Sequence, residues 1–86
     1  MPVIVVSGRF RLKIFGPPRE HAPPHVHVEH RPAGLAVIRI GPHGTRPVVW
    51  ESYAMRDKEV FEALVLVERH VHELLTAWER LHGPLR

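Results

Sequence analysis

The segment HAPPHVHVEH, residues 21–30, gathers four histidines, two prolines and a glutamate in ten positions. Imidazole can exchange a proton, carry a charge or ligate a metal near neutral pH, so such a cluster is the first place to look for chemistry. His25 and His27 stand two apart. On a strand, residues i and i+2 point the same way about 6.5–7 Å apart, which leaves a gap the size of a phosphate or a metal ion.

Three uses of that gap compete. In the first, the two imidazoles serve as base and acid in RNA phosphodiester cleavage, one removing a 2′-hydroxyl proton and the other protonating the leaving oxygen. The developing charge needs cations beside it. Arg9, Arg11 and Lys13 share the histidines' face if the strands pair in sequence, and Arg39 joins them. The same basic face suits binding of a phosphate chain without turnover. In the second, His25 and His27 chelate zinc or a similar divalent ion, with His21, Glu29 or His43 as third ligand. The neighbouring arginines oppose a cation there, and Glu20 and Glu29 are the only local carboxylates. In the third, the prolines set an extended entry to a strand and the rings hold the preceding loop by hydrogen bonds. The basic residues then solvate a face and guard an edge.

Strands must position these residues. Phe10, Leu12 and Ile14 alternate with Arg9, Arg11 and Lys13, the pattern of one buried and one wet face. A short strand at Val3 to Val6 leads in, with a bend or bulge at Ser7 and Gly8. Val26 and Val28 give a third strand whose valines face the core and whose histidines share the other side. After the RPAG turn, Ala36, Ile38 and Ile40 lie on one side of LAVIRI, and Leu35, Val37 and Arg39 on the other. GPHGT turns again into RPVVWE, where Pro47 restricts the strand to an edge or puts the proline at its start.

From Asp57 the period changes. Val60, Leu64, Val67, Val71, Leu74, Trp78 and Leu81 recur at spacings of 4, 3, 4, 3, 4 and 3, which predicts one continuous helix over about 58–82. Asp57 is the expected N-cap, and Gly83 with Pro84 the stop. At 1.5 Å per residue such a helix is about 37 Å long and overhangs strands of about 20 Å. Phe61, Val65 and Leu66 widen its apolar arc, predicting a homodimer or cognate-protein contact unless the segment after Trp50 folds over it. Trp50 and Trp78 read as core or interface aromatics. His70 and His72 cannot face one another on a helix and read as surface residues. Phe10 alternates to the other side, which leaves Phe15 as the one aromatic on the face of the basic residues, so a stacking platform for single-stranded RNA is weak or missing.

The 86 residues include no cysteine, which removes disulfides and thiolate zinc sites. They read as one domain, 1–86, small enough to bury only about 60–65% of the unfolded surface, which makes a partner plausible. The net charge of +3 is uneven. Residues 1–56 hold eight Lys/Arg against three Asp/Glu, and residues 57–86 hold four against six. The apolar runs at Val3 to Val6 and Ala63 to Val67 are too short for a signal peptide or a span, so a cytoplasmic chain with no membrane partner is expected. P-loop, dinucleotide-glycine, HExxH and nucleophile-elbow signatures are absent.

The leading MPVI, the basic strand GRFRLKIF, then EHAPPHVHV, and the closing HELLTAWERLHG resemble a small bacterial family, domain of unknown function 4160. Pro23, Pro24, His25 and His27 match its Pro-Pro-His-x-His core. The family's Asp-His before the prolines stands here as Glu20 and His21. Its Tyr at the end of the basic strand is Phe15, which lacks the hydroxyl. The resemblance implies a component of toxin–antitoxin-type gene pairs and names no reaction.

The sequence thus predicts an α+β domain in which an antiparallel sheet of about three to five strands, over about 3–51, packs on one long C-terminal helix. The expected function is binding of a cognate protein or nucleic acid through a basic, histidine-bearing face, with no cofactor. A metal-independent ribonuclease using His25 and His27, with Arg11, Lys13 and Arg39 at the phosphate, is the enzymatic alternative. A divalent-metal protein using His21, His25, His27 and Glu29 is the third.

Overall fold

The computed structural model describes residues 3–16, 23–41 and 44–83. Five strands come first, β1 (Val3–Ser7), β2 (Phe10–Lys13), β3 (His25–His30), β4 (Gly34–Arg39) and β5 (Val48–Tyr53), followed by two helices, α1 (Asp57–Arg69) and α2 (Val71–His82). Each strand pairs antiparallel with its neighbour in the chain, so the sheet order is β1-β2-β3-β4-β5. Ser7 pairs with Phe10, leaving Gly8 and Arg9 as the turn, and Gly8 supplies the positive φ of 57° that it needs. The irregularity in β1 falls between Val3 and Val5 rather than at Ser7. Pro47 stands just before β5, an edge strand, where its missing N–H costs no ladder bond.

The register turns the alternation into two faces. Leu12, Val28 and Ala36 form one cross-strand row, and Val26 pairs with Ile38 in the next. With Ile14 and Ile40 these residues meet Ala63, Leu66 and Val67 of α1 and Leu74, Leu75 and Trp78 of α2 in a single buried cluster. Leu66 therefore belongs to the core, whereas Phe61 stays exposed.

The long helix is two. His70, at φ −112° and ψ 16°, leaves helical geometry, and its N–H donates to Val67 O at 3.1 Å, three residues back. Leu74 N–H then donates to His70 O at 2.9 Å, so α2 begins at once. His70 Nδ1–H also donates to Glu73 Oε1 at 3.1 Å, tying the first turn of α2 to the break. The longest dimension of the molecule is 34 Å. An unbroken helix of about 37 Å would outrun it, and beyond the break α2 buries Leu74, Leu75 and Trp78.

Arg56, not Asp57, is the N-cap of α1. Its backbone N–H donates to Glu59 Oε1 at 2.8 Å, the reciprocal half of a capping box, and its Nη2 donates to Glu59 Oε2 at 3.2 Å. The backbone bond is the main reason that the Glu59 carboxyl lies below its ordinary pKa, with the Arg56 side chain and His30 adding to it. At the other end Gly83 closes α2 with φ 88°, its N–H donating to Glu79 O at 2.7 Å, while Pro84 lies outside the described residues. No helix among the described residues is long and apolar enough to cross a membrane.

Candidate functional site

The face of the sheet away from the core carries the polar residues in cross-strand rows. Arg11, Glu29, Leu35 and Tyr53 form one, Lys13, His27, Val37 and Glu51 the next, and His25, Arg39 and Val48 the third. The expected neighbours are thus brought together, with Lys13 directly across from His27 and Arg39 directly across from His25. Arg9 is set apart in the β1–β2 turn, exposed.

Lys13 does not stand open to an anion. It is only 7% exposed, and its Nζ donates to Glu29 Oε2 at 2.9 Å. Glu29 is thereby committed to a cation and unsuited to ligate another. Among the described residues no three His, Asp or Glu gather where they could hold a metal ion. His21, Glu20 and His43 lie outside the described residues.

The two prolines and His25 lock the start of β3. The Pro23 carbonyl faces His25 Nδ1 at 2.9 Å. A carbonyl can only accept, so it is His25 Nδ1–H that donates this bond. The Pro24 carbonyl accepts from Ile40 N–H at 2.9 Å and Gly41 N–H at 3.4 Å, extending the ladder past β4. Gly41 is required for this approach, because a Cβ there would come within 2.6 Å of Pro24 Cγ. The Pro-Pro-His half of the motif therefore fixes strand entry and holds His25 Nδ1–H as a donor.

Aromatic rings close around this strand end. His25 is 7% exposed, with its centroid 5.7 Å from His27, 5.2 Å from Trp78 and 5.3 Å from Trp50. The His27 ring meets Phe15 edge to face at 5.1 Å. Trp78 stacks on His82 at 3.8 Å and 12°, and His82 Nε2–H donates to Phe15 O at 2.7 Å. A closed circuit of Phe15, His27, His25, Trp78 and His82 thus joins the ends of β2 and α2 to the start of β3. Sequence reasoning did not single out His82, although its place four residues after Trp78 puts both on one helix face.

Trp50 opens this cluster to solvent. Val37 pairs with Glu51 and Ile38 with Val49, so Trp50 is the extra residue of a bulge in β5, and it is 45% exposed. Trp78 fits the expected core role, but Trp50 does not sit in the core. Tyr53, also exposed, shares the row of Arg11. The register therefore supplies the aromatic residues that a linear reading of the basic strand lacked. Beside them, Arg39 Nη2 donates to Arg46 O at 3.4 Å, while its Nε is buried without a hydrogen-bond partner. What this end of the sheet offers is an accessible indole, a guanidinium with donor capacity to spare, and two imidazoles held behind them.

The family model described as domain of unknown function, DUF4160, matches residues 10–79, which include all of β2, β3, β4, β5 and α1 and most of α2. No curated protein and no solved structure matches the chain. With that match over most of its length, the chain belongs to the DUF4160 family.

Proposed function

We propose that this chain binds single-stranded RNA at the His25 end of its sheet, acting as one component of a toxin–antitoxin-type pair. The observation that carries the reading is Trp50, a half-exposed ring 5.3 Å from His25 and on the strand beside Arg39. A base stacked on such a ring contributes about 1–3 kcal/mol without regard to its identity. Arg39 supplies donors for a phosphate, and a guanidinium-to-phosphate bond is among the stronger hydrogen bonds available. The excess of eight basic over three acidic residues in positions 1–56 gives the electrostatic attraction that a phosphate chain needs.

Binding is favoured over turnover by the state of His25. Acid–base cleavage needs both imidazoles within reach of substrate protons. His25 is buried and its Nδ1–H is engaged by Pro23 O, so it serves better to orient Trp50 and His27 than to exchange protons with a substrate. The metal-independent ribonuclease, with His25 and His27 as acid and base, is the alternative that the same experiment separates.

The test is fluorescence anisotropy of a labelled short single-stranded RNA at low and moderate salt, with the RNA then run on a denaturing gel. The expected result is intact RNA and salt-dependent binding. Trp50→Ala should weaken it on the order of tenfold. Arg39→Ala should lower the slope of log K against log salt by about 0.7 for each phosphate that the guanidinium neutralises. RNA cut with a bell-shaped pH profile that His25→Ala and His27→Ala abolish would replace binding by the ribonuclease reading. Absence of salt-dependent binding and of cutting would overturn both and leave the face to a cognate protein.

A further inference from the structure

On the helix-covered side of the molecule, α1 presents a surface whose charges are their own complement. A groove of about 360 Å³ lies between the β1–β2 hairpin and α1, lined by Phe10, Phe61, Val65 and Leu66 together with Glu62 and Arg69. Phe61 is 65% exposed, a large apolar ring left in water on a helix that otherwise packs well. Glu62 and Arg69 are seven residues apart, close to two turns, so they lie on one face of α1. Among the described residues neither makes a salt bridge within its own chain.

The point midway between Glu62 and Arg69 falls between Val65 and Leu66. A two-fold axis there lays α1 antiparallel on a second α1 and sets each Glu62 across from the other copy's Arg69. An isologous contact demands that both pairs form at once, and here they do. The alternatives are disfavoured. Parallel helices would set Glu62 against Glu62 and Arg69 against Arg69, and moving the axis onto Val65 would set Glu62 against Glu68.

We infer that two copies of this chain associate through this face. The helices α1 run antiparallel, Phe61 and Val65 of each copy are seated against the groove of the other, and two Glu62–Arg69 pairs flank the axis. A chain of 86 residues buries little surface alone, so covering Phe61 is a proportionately large gain. The contact lies on the opposite side of the sheet from the His25 end and does not depend on RNA binding.

Sedimentation equilibrium of the full chain over a wide concentration range tests the inference, with far-UV circular dichroism to confirm folding. The wild type should show a monomer–dimer equilibrium. Glu62→Arg alone and Arg69→Glu alone should each weaken dimerisation by roughly tenfold or more, because each sets like charges across both symmetric contacts. The double variant Glu62→Arg, Arg69→Glu, which restores both pairs with reversed polarity, should recover association to within a few-fold of the wild type. High salt should weaken the wild type and relieve the single variants. A monomer at every concentration, or a dimer that the single reversals leave unchanged, overturns the inference. Folded single variants that the double variant fails to rescue overturn the antiparallel register.

Discussion

The two faces of the sheet are built from alternate residues of the same strands, yet they follow different rules. On the inner face Leu12, Val26, Val28, Ala36 and Ile38 are all fully buried in one apolar cluster. On the outer face the same strands carry an ion pair, two imidazoles and two guanidiniums, around Val37. The inner face is redundant, since volume and apolarity suffice there. The outer face is particular, because several of its polar groups are held by named partners: Lys13 by Glu29, His25 by Pro23, and Arg39 Nη2 by Arg46. The two faces meet at His25, whose ring lies 5.2 Å from Trp78 of the core and 5.3 Å from Trp50 of the surface.

Substitutions of the two tryptophans separate the faces most clearly. Trp78→Ala removes a ring 2% exposed, its stack on His82 and its packing on His25. It should cost about 3–5 kcal/mol in chemical denaturation, enough to unfold a domain this small. Gly41→Ala comes next. Its new Cβ meets the Pro24 ring, which cannot swing aside as a flexible chain would, and overpacking of this kind costs about 1–3 kcal/mol. If the His25 Nδ1–H bond and strand entry depend on that close approach, RNA affinity should fall together with stability. Trp50→Ala should change stability by no more than about 0.5–1 kcal/mol while weakening RNA binding, the separation expected of a surface group.

The smallest effect lies far from both tryptophans. The carboxyl of Glu59 is held below its ordinary value of 4.5 by Arg56. A depressed carboxyl stabilises the folded state above its unfolded pKa, and the contribution is lost as pH falls from about 4.5 through the lower folded value. Thermal melts across that window should show a modest loss that Glu59→Gln abolishes, leaving binding at the His25 end unaltered at neutral pH.

Much of the fold is legible in the sequence because it rests on alternation. The faces of LAVIRI, the inward valines of β3, the edge position imposed by Pro47 and the cross-strand meeting of basic residues with histidines all follow from period and turn chemistry. The break at His70 is hidden because the apolar stripe runs through it unbroken from Val67 to Val71 and Leu74. The expected cap falls one residue late because Asp57 is the better capping type, whereas Arg56 is held through its backbone by Glu59. At the site, period shows that His25 and Arg39 share a face, but neither that they stand opposite one another nor that His25 is covered. That depends on the bulge which releases Trp50 from the β5 alternation and on α2 bringing Trp78 to the strand end. The engagement of Lys13 by Glu29 is equally a matter of register, since sixteen residues separate them.

RNA recognition at the His25 end is tested most directly by a histidine- and indole-resolved NMR titration with a short single-stranded RNA at neutral pH. His25, His27 and the Trp50 indole should shift together and saturably, while His70 and His72 on the helix side do not move. Resonances of His25, His27 and Trp50 that stay fixed, or shifts confined to His70 and His72, would contradict it.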